Sequence, residues 1–277
     1  MKPKKSLGQH WLTSTKALSQ MVDAAEPTME DIVVEIGPGK GVLTERLLKV
    51  AKKVIAIEKD RELIPLLMEK FSDDIISGKL TIIEQDILTF DTELLRTYSA
   101  SYKIVANIPY YITGAIIEQF LSATYQPERM VLLMQKEVAE RIVAKKKSFN
   151  DAQGKESVLS IAVKAYGTPT MVAKVPRGAF VPPPTVDSAI LSIVDISRTY
   201  FENIDETLFF NLLKAIFGKK RKQIGGSLAD FLNNKEHALA VLAAAAIDTK
   251  TRPEDLSLIQ WKTLTTCCID TKSAVYS

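Results

Sequence analysis

The feature that most limits what this chain can fold into is a glycine-rich turn between an apolar run and a helical pattern. The run Val33-Val34-Glu35-Ile36 leads into Gly37-Pro38-Gly39-Lys40-Gly41, and apolar residues then recur with a helical period. A short continuous apolar run is typical of a buried strand. Glycines lack a Cβ atom and let a ligand come close to the backbone. The sequence therefore predicts a strand, a tight turn and a helix start that together bind a ligand.

A second predicted strand, Lys53–Glu58, ends on an acidic residue 21 positions after Gly37. A carboxylate at this place can accept hydrogen bonds from both hydroxyl groups of a ribose, as in dinucleotide-binding βαβ units. The glycine spacing is GxGxG and not GxGxxG, and such a turn can also serve only to pack a helix on a strand. Glu35, just before the glycines, would repel a phosphate. It suits a cationic adenosine compound without phosphate, such as S-adenosylmethionine.

Strands and helices alternate along the first part of the chain. Three further strands are predicted at residues 80–86, 102–107 and 130–135, and a helical pattern follows each of the last two. This alternation indicates a mainly parallel, doubly wound α/β sheet, whose ligands bind outside the carboxyl ends of the strands. The residues expected to converge there are Gly37, Glu58, Asp86 and Asn107.

The pattern changes in the later part of the chain. Val158 to Tyr166 and Thr170 to Val175 are predicted as strands, and a proline-rich loop that contains Phe180 precedes a closing strand at residues 189–196. After about Ser197 only helical patterns remain. The expected organisation is an α/β domain over residues 1–197 and a small α-helical domain over residues 198–277.

The composition excludes several classes of protein. The 277 residues carry a net charge of +3, and no apolar run approaches the roughly 20 residues of a membrane span. The two cysteines are adjacent and there are only two histidines, so we expect a reduced, cytoplasmic protein with no metal site and no membrane association. The basic cluster Lys219-Lys220-Arg221-Lys222 is a candidate contact for a nucleic-acid backbone, and a solvated surface is the alternative.

Four segments carry a resemblance to a known family. They are Gly8-Gln9-His10-Trp11-Leu12, Glu35-Ile36-Gly37-Pro38-Gly39-Lys40-Gly41, Asn107-Ile108-Pro109-Tyr110 and Phe180-Val181-Pro182-Pro183-Pro184. In combination they resemble the ribosomal RNA adenine N6,N6-dimethyltransferases, over essentially the whole chain. The resemblance implies a class I S-adenosylmethionine-dependent methyltransferase fold, a Rossmann-like doubly wound sheet, with a small α-helical C-terminal domain that binds rRNA.

The resemblance leaves two rRNA targets to choose from. Small-subunit enzymes dimethylate two adjacent adenosines in the loop of the 3′-terminal helix of 16S rRNA, and erythromycin-resistance methylases act on 23S rRNA of the large subunit. The length, the proline-rich loop and the basic cluster resemble the small-subunit enzymes. Two segments depart from the common patterns of the family. The first is Gln9-His10-Trp11-Leu12, where Gln-Asn-Phe-Leu is common, and the second is Ile108-Pro109-Tyr110-Tyr111, where small-subunit enzymes usually have Leu-Pro-Tyr-Asn. The resistance methylases also have isoleucine at the position of Ile108, so 23S rRNA stays as the alternative target.

The Asn107-Ile108-Pro109-Tyr110 segment is predicted to carry the chemistry. Adenine N6 is a poor nucleophile because its lone pair is delocalised into the ring. The side-chain carbonyl of Asn107 and the peptide carbonyl of Ile108 can accept the N6 hydrogens and aim the lone pair at the donor methyl group, with Pro109 fixing the turn. Tyr110 and Phe180 are predicted to stack on the two faces of a flipped adenine, and a core aromatic is the alternative for Phe180.

The resemblance also assigns the residues that bind S-adenosylmethionine, whose product is S-adenosylhomocysteine. Glu58 takes the ribose, Asp86 the adenine amino group and Gly37 the methionine part. His10 and Leu12 close over the cofactor, next to Asn107. For Asp86, a cap at the end of a strand is the alternative role.

The expected partner is rRNA within the precursor of the small ribosomal subunit, bound by a monomer through the cluster of residues 219–222. Two other classes of protein are alternatives. An NAD-dependent oxidoreductase is disfavoured by Glu35, by the glycine spacing and by the scarcity of histidines. A non-catalytic RNA- or DNA-binding relative is disfavoured by the intact Asn107-Ile108-Pro109-Tyr110 motif.

Overall fold

The computed structural model describes residues 8–144, 156–219 and 222–275. These residues form two compact units, one within residues 1–143 and 167–197 and the other within residues 144–166 and 198–277. The second unit therefore takes a segment from the middle of the chain as well as its C-terminal part.

The first unit is built on a seven-stranded sheet. The strands of this unit are β1 (Trp11–Leu12), β2 (Ile32–Ile36), β3 (Lys53–Glu58), β4 (Leu80–Glu84), β5 (Lys103–Asn107), β6 (Arg129–Gln135), β7 (Thr168–Val175), β8 (Phe180–Val181) and β9 (Ser188–Val194). The sheet has the order β4-β3-β2-β5-β6-β9-β7, while β1 and β8 pair antiparallel with each other, Leu12 opposite Phe180.

Helices connect the strands of this sheet. They are α1 (Thr15–Ala25), α2 (Val42–Leu47), α3 (Leu63–Lys70), α4 (Ser72–Ile76), α5 (Thr113–Leu121) and α6 (Lys136–Val143). The first helix begins at a polar cap, because the side chain of Ser14 accepts a hydrogen bond from the N–H of Ala17.

The predicted mainly parallel, doubly wound sheet is confirmed. Strands β2 to β6 are mutually parallel, and only β9 and β7 are antiparallel to their neighbours in this sheet. The chain runs outward from β2 to β3 and β4 and then returns to β5 on the other side of β2. The strand order thus reverses between β2 and β5, and this is the point at which such sheets bind ligands.

The inner strands of this sheet consist mainly of apolar residues without alternation, and they are buried on both faces. All five residues of β2 are buried, and Met21 of α1 and Leu47 of α2 are fully covered. Burying one such large apolar side chain stabilises the fold by about 1.5–3 kcal/mol. This core holds the carboxyl ends of the strands in fixed positions.

The second unit is helical where the structure describes it. Its helices are α7 (Val158–Tyr166), α8 (Glu206–Phe217), α9 (Ile224–Leu232), α10 (Lys235–Ala244) and α11 (Leu258–Val275). Aromatic rings form much of its core, for example Tyr166 and Phe201 with ring centroids 4.9 Å apart. Trp261 is fully buried and lies 5.7 Å from the ring of Phe217.

The predicted strand at residues 158–166 is wrong, since this segment is helix α7. A short apolar run does not distinguish a strand from a buried helix. The deciding signal lies one residue earlier, where the Oγ of Ser157 accepts a hydrogen bond from the N–H of Ser160 at 3.1 Å. In return, the N–H of Ser157 donates to Ser160 Oγ at 2.6 Å. These reciprocal bonds satisfy backbone donors at the start of a helix.

Candidate active site

A cavity of about 600 Å³ opens at the carboxyl ends of the parallel strands of the first unit. This volume is within the range of small-molecule sites. The residues assigned to the cofactor from the sequence all line it: His10, Leu12, Gly37, Glu58, Asp86 and Asn107. The structure therefore brings together the side chains that the sequence predicted to converge.

Glu58 lies at the end of β3, and its side chain is held by the backbone. Its Oε2 accepts a hydrogen bond from the N–H of Gly39 at 3.2 Å, and its Oε1 accepts one from the N–H of Asp60 at 2.8 Å. Burial raises the pKa of this carboxyl group, whereas the hydrogen bonds from Asp60 and Gly39 lower it. A carboxylate has about four acceptor positions, so both oxygens can still accept from a ribose.

Glu35 is the deepest acidic group of the cavity, with 1% of its surface exposed. Its Oε2 accepts a hydrogen bond from Thr44 Oγ1 at 2.5 Å. Burial raises the pKa of Glu35 from 4.5 to about 8, against the hydrogen bond from Thr44, and the negative charge of Glu58 raises it further. A pKa of about 8 favours the protonated form of Glu35 at neutral pH, and a cation beside the carboxyl group stabilises the ionised form.

Asp86 is at the rim of the cavity and makes two kinds of contact. Its Oδ1 accepts from the N–H of Leu88 at 3.1 Å, which caps the short helical turn Ile87–Thr89. Its Oδ2 forms an ion pair with Lys59 Nζ at 2.6 Å. The hydrogen bond with Lys59 holds the pKa of Asp86 below its usual value, against partial burial. Asp86 therefore acts as a cap, which was its alternative role, and it also lines the cavity.

Asn107 is the last residue of β5, and one hydrogen bond defines how its amide points. Its Nδ2 donates to the carbonyl of His10 at 3.2 Å. Because the amide nitrogen is used in this way, the Oδ1 atom remains as the acceptor of the side chain. Tyr110, on the following turn, hydrogen-bonds through its hydroxyl to Ser188 Oγ at 2.7 Å. Burial raises the pKa of Tyr110, so the phenol stays neutral.

Phe180 lines the cavity but is only 2% exposed. It lies opposite Leu12 in the β1–β8 pair and belongs to the same buried apolar cluster as Val175 and Ala179. In this structure Phe180 is therefore surrounded as a core aromatic residue is, which was the alternative role. Stacking of Phe180 on the target base stays a prediction, and it requires the ring to be uncovered when RNA binds.

His10 and Trp11 contribute contacts that the sequence did not predict. The ring of His10 lies nearly parallel to that of Tyr110, at 17° with centroids 6.2 Å apart, and its Nδ1–H donates to the carbonyl of Pro182 at 2.8 Å. Lys40 Nζ lies 3.9 Å from the ring centroid of Trp11. The buried Nε1–H of Trp11 has no hydrogen-bond partner among the described residues.

These features fit S-adenosylmethionine. Gly37 and Gly39 have φ of +68° and +59° and put no side chain into the cavity. The unpaired Trp11 Nε1–H and the nearby ammonium group of Lys40 suit a ligand carboxylate, and Glu35 suits an ammonium or sulfonium group.

The predicted RNA contacts are in the second unit. Lys219 and Lys222 both form ion pairs with Asp230, the latter at 2.9 Å. These two lysines lower the pKa of Asp230 to about 2. Lys220 and Arg221 lie outside the described residues. One carboxylate therefore neutralises part of the charge of the cluster.

Among the described residues, no group of three or more His, Cys, Asp or Glu side chains is arranged to hold a metal ion. No helix in the described parts of the chain is long and apolar enough to cross a membrane.

Comparison with known proteins assigns the family. The family model described as ribosomal RNA adenine dimethylase matches residues 1–268. The chain belongs to this family. This dimethyltransferase has the class I methyltransferase fold and uses S-adenosylmethionine to methylate adenine in rRNA.

Relatives and solved structures agree with this assignment. The chain is 44% identical to "Ribosomal RNA small subunit methyltransferase A" of Dehalococcoides mccartyi over 265 residues, 95% of this chain and 88% of the relative. It is 39% identical to the protein of that name in Bacillus cereus over 276 residues, 96% of this chain and 91% of the relative.

Two crystal structures resemble the chain over most of its length. A dimethyladenosine transferase from Plasmodium falciparum has a TM-score of 0.76 and 28% identity, and the match covers 92% of this chain and 96% of that one. The 23S rRNA methyltransferase ErmE has a TM-score of 0.68 and 24% identity, with 93% and 98% covered. The ErmE likeness shows the shared fold alone.

Proposed function

We propose that this dimethyltransferase modifies the N6 atoms of two adjacent adenosines in the loop of the 3′-terminal helix of small-subunit (16S) rRNA. Its substrate is the precursor of the small ribosomal subunit, and it acts in the cytoplasm as a monomer. Relatives named as small-subunit methyltransferases support this target at 44% and 39% identity. The large-subunit target of the resistance methylases is not favoured, because its support is a likeness of fold.

The orientation of Asn107 is the observation that carries the proposal. Its Nδ2 is held by the carbonyl of His10, so its Oδ1 is available at the end of β5 to accept an N6 hydrogen. Together with the carbonyl of Ile108 it holds the amino group where its lone pair can reach the methyl group. Two neutral acceptors also suit a second methylation, because monomethyl-N6 retains a single hydrogen to donate.

Positioning is the main contribution of the protein to the reaction. S-adenosylmethionine supplies an electrophilic methyl group bonded to a sulfonium centre. Glu58 would bind the ribose and Gly37 would line the methionine part, while Glu35 and Trp11 would hold the charged groups of that part. The ring of Tyr110, whose hydroxyl is hydrogen-bonded to Ser188, stacks on one face of the flipped adenine. Phe180 is proposed for the other face once RNA binding uncovers it.

Primer extension on both rRNAs tests the target. Ribosomal subunits that lack the modification are incubated with the wild-type protein and S-adenosylmethionine, and stops caused by dimethyladenosine are mapped on 16S and 23S rRNA. Paired stops in the 3′-terminal loop of 16S rRNA are expected. Stops confined to 23S rRNA would contradict the proposal.

Asn107→Ala tests the acceptor role. We expect this variant to transfer methyl groups at least about 100-fold more slowly, since a positioned group typically contributes that much or more. Binding of S-adenosylhomocysteine, measured by calorimetry, should change far less. Methylation of small subunits at the wild-type rate would show that Asn107 Oδ1 does not hold the amino group.

We further propose that residues 1–197 are the catalytic domain and residues 198–277 bind rRNA through Lys219, Lys220, Arg221 and Lys222. Lys219 and Lys222 share Asp230, so replacing both with alanine removes two positive charges and changes the net charge of the three side chains from +1 to −1. Affinity for small subunits should fall, and the dependence of log affinity on log salt concentration should become less steep by about one to two. Lys235→Ala, an exposed lysine of the same unit, is the control. An unchanged salt dependence would place the RNA contacts elsewhere.

A further inference from the structure

Tyr111 is an exposed aromatic residue that the proposed chemistry does not use. It follows Tyr110 directly and lines the same cavity, yet 68% of its surface is exposed. The two tyrosines share the short helical turn Tyr110–Ile112. With about three residues per turn, neighbouring side chains on such a turn point roughly 120° apart. One ring is therefore half-buried, with its hydroxyl on Ser188, and the other points outward.

The ring of Tyr111 is supported from one side. Its edge lies against the backbone of Gly8, where a Cβ atom would be 3.1 Å from Tyr111 Cε1 and 3.5 Å from Cδ1. Gly8 also has a φ of +60°, which disfavours any side chain there. The glycine thus lets the N-terminal segment approach the ring closely. An aromatic ring placed on a short turn and packed against backbone loses little conformational freedom when it stacks on a ligand.

A basic side chain lines the same cavity as this ring. It is Lys59, whose ammonium group forms an ion pair with Asp86 at 2.6 Å. The side chain of Lys59 is 55% exposed. An exposed ring with a neighbouring cation is the combination by which proteins bind single-stranded nucleic acid, with the base on the ring and the phosphate near the charge.

We propose that Tyr111 is a stacking site for the nucleobase next to the target adenosine. The inference rests on the proposed function, because it takes the substrate to be single-stranded loop RNA. When one adenosine enters the cavity beside Tyr110, its chain neighbour leaves its own stack and needs a new partner at the rim. Tyr111 is the next residue along the turn and presents its ring there. The site is insensitive to base identity because every base has a π-face.

Variants of Tyr111 test the stacking site. Binding is measured with small ribosomal subunits that lack the modification, over a series of salt concentrations. Tyr111→Ala should weaken binding about 5- to 150-fold, the range expected for one lost base–aromatic stack. Tyr111→Phe should stay within about twofold of wild type, because the stacking face is retained. The salt dependence should not change, because no charge is removed.

Two controls separate this site from the cofactor site and from general damage. Affinity for S-adenosylhomocysteine should be equal in wild type and Tyr111→Ala. Tyr98→Ala, which removes a tyrosine of the same unit that does not line the cavity, should leave RNA binding unchanged. A Tyr111→Ala protein that binds subunits within twofold of wild type would overturn the proposal. An equal loss of S-adenosylhomocysteine and RNA binding would assign the ring to the cofactor instead.

An RNA hairpin with two adjacent adenosines in its loop identifies the base. Wild type and Tyr111→Ala are compared on this hairpin and on copies with an abasic site on either side of the target. Removal of the stacked base should abolish the difference between the two proteins. A difference that persists with every abasic copy would refute stacking on a neighbouring base. The readout is binding, so it stays separate from failure of the proposed function, which would show as absent methyl transfer by the wild type.

Discussion

The buried carboxyl group of Glu35 makes the stability of the first unit depend on pH in a way that Glu35→Gln should remove. Burial raises the pKa of Glu35 from 4.5 to about 8 in the folded protein. The folded state therefore holds the proton more tightly than the unfolded chain does. The stability that this group confers is complete below pH 4.5 and is lost as the pH rises through about 8. A glutamine at this position does not titrate, so it removes this pH dependence, and its side-chain oxygen can still accept the hydrogen bond from Thr44 Oγ1.

The magnitude follows from the two pKa values. Since each pKa unit corresponds to about 1.4 kcal/mol, the full loss for wild type at high pH is about 5 kcal/mol. Between about pH 5.5 and about pH 8.5 the free energy of unfolding of wild type should fall by about 3 kcal/mol relative to that of Glu35→Gln. Other titrating groups are common to both proteins, so this difference isolates Glu35.

Urea unfolding followed by circular dichroism provides the assay, with ionic strength held constant and no cofactor present. Glu45→Gln is the matched control, because the side chain of Glu45 is 54% exposed and forms surface ion pairs with Lys49 and Lys70. Its difference from wild type should stay within about 0.5 kcal/mol over the same range. Parallel pH profiles for wild type and Glu35→Gln would refute the argument, since they would mean that Glu35 titrates alike in the folded and unfolded states.

Two further predictions concern packing and positioning. Gly41→Ala should lower the free energy of unfolding by about 1–3 kcal/mol more than Gly78→Ala, as measured by urea denaturation. Both glycines have a similar positive φ, but only a Cβ at Gly41 would clash with a side chain, the ring of Phe71. Equal losses would show that the ring moves aside freely. Ser188→Ala should reduce kcat/KM on small subunits about 2- to 12-fold through loss of its hydrogen bond with Tyr110, yet have no further effect in Tyr110→Phe. Additive effects in the double variant would mean that Ser188 acts independently of Tyr110.

The sheet and the outline of the site could be predicted because both depend on local pattern. Apolar runs without alternation mark buried parallel strands, and polar residues at their ends mark the ligand edge. Gly37, Glu58, Asp86 and Asn107 line one cavity for this reason. Helix α7 was missed because its apolar run has no clear period, although the serine cap at Ser157 was visible in the sequence.

Other properties of the site depend on tertiary contacts that no local pattern encodes. The protonation of Glu35 follows from burial between neighbouring strands, and the covered position of Phe180 follows from its pairing with Leu12. Likewise, Lys219 lies 11 residues from Asp230 in sequence, beyond the spacing of a helical ion pair. The sequence therefore predicted which residues line the cavity more reliably than it predicted their protonation, burial and ion pairing.

The pairing of β1 with β8 has a consequence for how the protein is made. The hydrogen bond from His10 to Pro182 joins residues 172 positions apart, and that from Thr13 Oγ1 to the carbonyl of Ala179 joins residues 166 apart. One wall of the ligand cavity is thus assembled from the beginning and the end of the same compact unit. A nascent chain acquires this wall only after the ribosome has extruded the segment past Pro182. The complete cavity therefore exists only after Phe180 and Val181 have been synthesised, because a shorter chain lacks this wall.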